Sequence, residues 1–214
     1  MPSSNKSVPI FDVFQPGLRR GSEHLPYDPT KAYAYVEHPT EGWRVYLRSC
    51  AFLYAPGETN PTRFLAVKRT GARRSSAAWE PPKGQMEGKD IRRSPKATIL
   101  ALLAENVRRE SQEEAHVTQI TNLRHTGLVF QSQETDFPHN TYFQYHIFQG
   151  TIVPEQIKRS FDMFAWIKEH PAAFARFSRD RREKDAVAWY SPRMTKLNPR
   201  WCPGILALYL NNVN

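Results

Sequence analysis

The stretch RRESQEEAHV, residues 108–117, places Glu110, Glu113 and Glu114 within about one turn of each other if it is helical. Like charges that close repel, so their presence on one face needs a cause. The residues leading into it, KATILALLAENV (96–107), are helix formers, and Ser94-Pro95 reads as an N-cap followed by Pro at the first helical position. On a wheel, Ile99, Leu102, Leu103, Val107, Glu110, Glu113, Glu114 and Val117 fall in one arc of roughly 140°. The apolar stripe becomes a carboxylate stripe without changing face.

Carboxylates that project where leucines project face the protein body, where desolvation and mutual repulsion oppose their ionisation. A bound cation relieves both. Mg²⁺ is the natural candidate, with Mn²⁺ as an alternative, because a hard ion takes carboxylate oxygens and keeps waters for a phosphate substrate. Arg109, four residues before Glu113, can pair with it and hold its rotamer. The bland alternative is a solvated acidic face laced by i,i+4 pairs.

The 214 residues suit one buried core with extensions. With 40% hydrophobic content, five Trp, twelve Phe and nine Tyr, the chain carries the apolar area a folded globule needs. Thirty Lys and Arg against twenty-one Asp and Glu give a net charge of +9 and favour a polyanionic partner. The two cysteines, Cys50 and Cys202, form no framework or metal-type spacing. No apolar run approaches the length of a membrane span, and the N-terminus lacks the apolar block of a signal peptide. The expectation is a cytoplasmic or nuclear protein with no membrane partner, a homodimer being left open.

Residues 1–42 are rich in Pro, Ser and Gly and read as an irregular N-terminal arm. From Trp43 to the C-terminus the chain reads as one domain, 43–214, with a helical extension at its end. WRVYLRSCAFLYA and RFLAVKR, separated by PGETNPT, predict strand, turn and strand. A short strand runs into AAWEPPKG and is ended by Pro81 and Pro82. Beyond the helix, HTGLVFQS and NTYFQYHIFQGTIV predict two more strands with QETDFPHN as their turn. PEQIKRSFDMFAWIKEHPAAFARF predicts a helix broken at Pro171, and GILALYLNN a terminal one.

Upstream of the acidic helix lies WEPPKGQMEGKD, a glycine-containing loop whose free carbonyls can ligate a metal. Read with RESQEE, it resembles the Nudix hydrolase superfamily, whose signature is G-x5-E-x7-R-E-U-x-E-E-x-G-U, with U a bulky aliphatic residue. Gly84 takes the first glycine, Asp90 stands at the first glutamate, and Arg109, Glu110, Glu113 and Glu114 match the core; Val117 takes the last aliphatic position. The sequence departs from the pattern at Asp90, at Ser111, which replaces an aliphatic residue, and at His116, which replaces the glycine that ends the helix. Residues 91–108 also separate Asp90 from Arg109 where the pattern has seven. The excess of about eleven residues is close to three helical turns, so a lengthened helix is expected to absorb it on the same face.

The resemblance implies an α+β fold, an α/β/α sandwich with a mixed central β-sheet, and Mg²⁺-dependent hydrolysis of a pyrophosphate linkage. It implies Glu110, Glu113, Glu114 and the Gly84 carbonyl as metal ligands, with Arg109 orienting them. It places the general base on a glutamate in a loop before a late, Trp-bearing strand. RREKDAVAWYSP fits that description and nominates Glu183 or Asp185, with Glu134 and Asp136 as a second pair; a solvated loop acid is the alternative for each. The PPKG segment resembles members acting on diadenosine or diphosphoinositol polyphosphates, which would set Lys83 beside the phosphates. Lys89, Arg92 and Arg93, with Lys68, Arg69, Arg73, Arg74, Lys96, Arg179, Arg181 and Arg182, are the expected basic rim. Nucleotide sugars and 5′-capped RNA are further substrate classes, although no separate RNA-binding motif is present. A non-catalytic module that binds a phosphorylated ligand or a protein is the reading from another class.

Overall fold

The computed structural model describes residues 9–73 and 76–213; positions 1–8 of the expected arm and Arg74 of the expected rim fall outside them. Its strands are β1 (Arg19–Leu25), β2 (Asp28–Glu37), β3 (Arg44–Tyr54), β4 (Leu65–Arg69), β5 (Trp79–Glu80), β6 (Lys83–Gln85), β7 (Ile120–Ser132), β8 (Thr141–Ile152) and β9 (Lys184–Trp189). Its helices are α1 (Gly88–Arg93), α2 (Ile99–Ala115), α3 (Pro154–Glu169), α4 (Pro171–Phe174) and α5 (Cys202–Leu210). A mixed sheet runs β1-β2-β3-β8-β7, and a smaller antiparallel sheet runs β5-β4-β9. The result is an α+β architecture.

Strand β3 organises the larger sheet. One edge pairs in parallel with β8 along its whole length, from Arg44↔Thr141 to Tyr54↔Thr151. The other is shared antiparallel by β2, at residues 44–46, and β6, at residues 48–50. Its period of two sends Val45, Leu47, Ala51 and Leu53 into one core with Leu102, Leu103 and Val107 of α2. Cys50, Phe52 and Tyr54 enter a second core with Ile205 and Tyr209 of α5. Helices therefore cover both faces of the mixed sheet. Phe52 stacks on Tyr209 at 3.8 Å and fixes α5 to the sheet.

Two expectations need correction. Residues 19–37, read as part of an irregular arm, form the antiparallel hairpin of β1 and β2. Tyr33-Ala34-Tyr35-Val36 alternates strand-forming residues, a signal submerged in the Pro- and Gly-rich composition around it. The second concerns the insertion, which is not one lengthened helix. Asp90 sits in α1, and Ser94-Pro95 falls in the link between α1 and α2 rather than at the N-cap. Pro95 disfavours helical geometry at Ser94, which has ψ 64°. Thr98 caps α2 instead, its side chain accepting from the Ala101 N–H at 3.2 Å. The hairpin supports this link and the start of α1: Arg20 donates to the Ala97 carbonyl of the link at 2.8 Å, the Ala34 N–H donates to the Met86 carbonyl just before α1 at 2.8 Å, and Ser22 closes on Gly88, the first residue of α1, where a Cβ would lie 2.4 Å from its Oγ.

The segment before β1 packs against β7 and β8. Phe11 stacks on Trp43 at 4.7 Å, and its carbonyl accepts from Gln144 at 2.8 Å. Phe14 lies edge-on to His146 of β8, whose ring is fully buried and hydrogen-bonded to His125 at 3.2 Å. Burial, with the neighbouring His125 adding to it, pushes the His146 imidazole down to about 3. A histidine lowered in the folded state binds fewer protons there than in the unfolded chain, so its contribution is present above the ordinary histidine range and fades as pH falls toward that value. Unfolding free energy from urea titration is expected to drop between pH 6.5 and 4 by up to about 1.4 kcal/mol per pH unit for this group. His146→Phe should flatten that slope; an unchanged slope would remove the histidine from the account.

Candidate active site

One wall of a cleft of about 550 Å³ is the C-terminal half of α2 facing β6. Glu110 and Glu114 are buried and Glu113 is partly exposed, so the carboxylate stripe does face the body of the protein. Glu110 lies directly over Gly84: a Cβ there would come within 1.9 Å of the Glu110 carboxyl carbon. Arg109 gathers the acids around it. Its guanidinium is 2.8 Å from Glu110, 2.9 Å from Glu113, 3.5 Å from Glu87 and 3.8 Å from Asp90. Asp90 also accepts from the Glu87 N–H at 2.9 Å, so the shorter acid still ties the loop to the helix.

Below this wall is a closed network of charges. Lys184 sits between Glu114, at 2.7 Å, and Glu80, with which it is in direct contact. Lys83 is 3.2 Å from Glu80, and its backbone N–H donates to Glu114 at 3.0 Å. Glu80 therefore has two ammonium partners and Glu114 one. Burial works against ionisation of Glu80, yet Lys83 and Lys184 bring its carboxyl down to about 2. Burial raises Glu114, with Lys184 opposing. Burial also pushes Glu110 well above the ordinary carboxylate range; Arg109 opposes this, while Glu114 and Glu113 add repulsion. Glu113 is raised by burial, again against Arg109.

The opposite end is aromatic and cationic. Arg48 of β3 is buried, lies 4.1 Å over the Phe143 ring and pairs with Glu134 at 3.2 Å. Tyr27, Tyr145, Trp201 and Arg200 line the cleft beside it. Arg200 lies 5.3 Å over Trp201 and reaches the second Glu134 oxygen at 3.1 Å. The Gln85 side-chain oxygen accepts from Tyr27 at 2.6 Å and from Arg48 at 3.2 Å, and its buried amide nitrogen has no hydrogen-bond partner among the described residues.

Of the residues nominated from the sequence, Lys83, Gly84, Arg109, Glu110, Glu113, Glu114 and Glu183 line this cleft. Asp185 does not. Alternation along β9 sends Lys184 inward and Asp185 to the other side, where it pairs with Lys68 at 2.6 Å and accepts from the Gly71 N–H at 2.9 Å. Lys68, expected on the basic rim, is consumed in that pair. Lys89 pairs with Glu87 at 2.9 Å just outside the lining, and neither Arg92 nor Arg93 reaches it, because α1 turns them away. Arg69 and Arg179 do line it. Glu134 is committed to two arginines, and Asp136 is exposed. His116 takes the left-handed conformation, φ 55°, that the missing glycine would favour, and its ring meets Phe164 at 5.1 Å.

Arg48, Glu80, Lys184, Lys31, Asp180 and Arg200 lie in the cleft and were not singled out from the sequence. Arg48 stands in an apolar run, WRVYLRSC, where a charge at a strand interior is itself a signal. Glu80 and Lys184 carry no local mark.

The candidate ligands are all oxygens, the donor type a hard divalent cation takes, and the space left by the Gly84 Cβ is filled by the Glu110 carboxylate. Among the described residues no group of three acidic, His or Cys side chains converges on one point as it would around an ion; the carboxylates turn instead to Arg109, Lys83 and Lys184.

No family model matches the sequence, and no curated protein matches it. Among solved structures, a NUDIX hydrolase from Nitrosomonas europaea is similar at TM-score 0.44 and 14% identity, over 78% of this chain and 88% of that one. The Ap4A hydrolase of C. elegans, as a binary complex, is similar at TM-score 0.40 and 14% identity, over 78% of this chain and 95% of that one. A second structure of that hydrolase gives the same score and identity, over 96% of its chain. No helix among the described residues is long and apolar enough to cross a membrane.

Gly84→Ala tests the close approach at the centre of the wall. The added methyl displaces the flexible Glu110 carboxylate rather than backbone. The urea midpoint is expected to stay close to wild type; were this wall to hold a divalent ion, Mn²⁺ affinity would fall by at least about tenfold. Unchanged affinity would exclude the wall as a binding site.

Proposed function

We propose that this chain is a Mg²⁺-dependent hydrolase of the Nudix type that cleaves a pyrophosphate linkage in a polyphosphorylated small molecule, acting in the cytoplasm or nucleus. The observation that carries the reading is the convergence of Gly84, Arg109, Glu110 and Glu113 on one wall of a cleft whose remaining surface supplies Lys31, Arg48, Lys83, Arg179 and Arg200. Glu110, Glu113 and the Gly84 carbonyl would hold the Mg²⁺, for which Mn²⁺ is an alternative. When bound, the ion screens phosphate charge and lowers the pKa of a water.

The chain's own residues supply orientation. Arg109 fixes the Glu110 and Glu113 rotamers by paired contacts. Lys83, beside Gly84, has its ammonium fixed by Glu80 next to the carboxylate wall, where its remaining N–H groups can donate to a phosphate oxygen. Glu183, immediately before β9 and within the cleft, is the assigned general base. Its place is set by its own carbonyl, which accepts the Thr70 N–H at 2.8 Å.

Tyr27, Tyr145 and Trp201 offer an aromatic surface at the far end, which suits an adenine ring and favours the diadenosine polyphosphate class over diphosphoinositol polyphosphates. A second reading, a non-catalytic module that binds a phosphorylated ligand, is favoured by one observation: the acids are paired with protein cations rather than gathered around a point.

The test is release of phosphate or nucleotide, with and without Mg²⁺, from diadenosine polyphosphates, diphosphoinositol polyphosphates, nucleoside diphosphate sugars and capped RNA. Metal-dependent turnover is expected, with kcat/KM falling about a hundredfold in Glu110→Gln, the size of one lost electrostatic contact to transition-state charge. The same variant should raise the melting temperature of the metal-free protein at neutral pH. A carboxyl raised by burial binds more protons folded than unfolded, so ionising it opposes folding and a neutral isostere does not. Saturable binding without turnover on any compound would favour the second reading.

A further inference from the structure

Lys184 of the cleft touches two carboxylates from different parts of the chain, as Lys31 does with Glu87 and Asp180. Lys184 starts β9, is 5% exposed, and reaches inward to Glu114 of α2 and Glu80 of β5. Both oxygens of Glu114 are consequently engaged: Oε1 by the Lys184 ammonium at 2.7 Å, and Oε2 by the Lys83 N–H at 3.0 Å. Glu80 is engaged in the same way, by Lys184 on Oε1 and by the Lys83 ammonium at 3.2 Å on Oε2. Two carboxylates meet two ammoniums, so this part of the cleft is locally neutral and has no residual charge to attract a divalent ion.

The upper part is different. Glu110 and Glu113 share the single guanidinium of Arg109, which also contacts Glu87 and Asp90; Lys31 and Lys89 pair with Glu87 and with none of the other three, and Glu183 adds a further carboxylate. Acids outnumber the cations within reach there, and that imbalance is what a metal ion corrects.

We propose that the Lys184 ammonium takes the place of a divalent cation on Glu114, so that the cleft loads metal on Glu110 and Glu113 alone. An ammonium has the charge and the three donors to bridge two carboxylates, but it cannot exchange, so that end of the site is permanently occupied. Glu114 then acts by fixing Lys184 and the Lys83 backbone at the floor of the cleft, and Lys184 is a positioning residue. This inference rests on the metal-dependent reading of the site.

Mn²⁺ titration of the metal-free full chain, with free ion followed by electron paramagnetic resonance, decides it. Lys184→Arg should retain the wild-type stoichiometry, and Lys184→Gln should bind one Mn²⁺ more, the extra ion being lost in the Lys184→Gln/Glu114→Gln double variant. Because Lys184→Gln leaves two buried carboxylates short of a partner and can fail to fold, Glu114→Gln in the wild-type background gives an independent arm. It is expected to leave Mn²⁺ stoichiometry and affinity unchanged within about twofold, whereas a true ligand would cost at least about tenfold. An affinity loss of that size in Glu114→Gln, or equal stoichiometry in wild type and folded Lys184→Gln, would overturn the inference while leaving the metal-dependent reading intact. No Mn²⁺ bound by wild type, with one bound by Lys184→Gln, would overturn the loading on Glu110 and Glu113 and count against that reading. No Mn²⁺ bound by either would overturn both.

Discussion

The approach of α2 to β6 over a residue with no side chain is the constraint on which the rest of the site depends. Gly84 admits the Glu110 carboxyl into space that any Cβ would occupy. That admission buries a charge, and burial obliges the neighbouring residues to respond. Arg109 answers from the same helix, one residue before Glu110. Glu114, one turn farther along, is answered from β9 by Lys184, which requires the second sheet to close against the end of α2. The small sheet is thus held to the large one partly by charge, and the cleft is the seam between them.

The core itself is divided by β3. Strand β3 must carry one apolar face toward α2 and another toward α5, and it does so while giving up its interior position 48 to arginine. Arg48 is tolerated because Phe143 lies beneath it and Glu134 beside it. Position 49 of the same strand is a serine, which accepts from Asn106 of α2 at 2.7 Å, so the polar side of the helix begins at the level where the sheet turns polar.

Periodicity made much of this legible. The shared arc of Ile99, Leu102, Leu103, Val107, Glu110 and Glu114 is a property of one continuous helix, and local sequence determines it. The strands from Trp43 onward followed from β-branched and aromatic runs, and the break at Pro171 from a residue that cannot continue a helix. What was hidden was hidden for physical reasons. Glu80 and Lys184 acquire meaning by meeting across the fold, and nothing near either residue announces the encounter. Asp185 and Lys184 are adjacent, and only the phase of β9 decides which of them faces inward. Lys89, Arg92 and Arg93 looked like a rim because a charge cluster carries no direction until α1 is placed. The hairpin of β1 and β2 was obscured because average composition over residues 1–42 overrode four alternating positions.

The contact between that hairpin and the link from α1 to α2 has a consequence for how such a chain can change over generations. Arg20 holds the Ala97 carbonyl, and Ser22 fits against Gly88 at the start of α1. Each segment is therefore part of the environment that makes the other tolerable. Shortening the link would strip β1 of its support and leave an outer strand with open hydrogen-bonding groups, a template for association with another chain. Losing the hairpin would leave the link unsupported above the acidic wall. The two segments, separated in the chain by β3 to β6 and α1, are one unit of inheritance, and a descendant that discards either is expected to discard both.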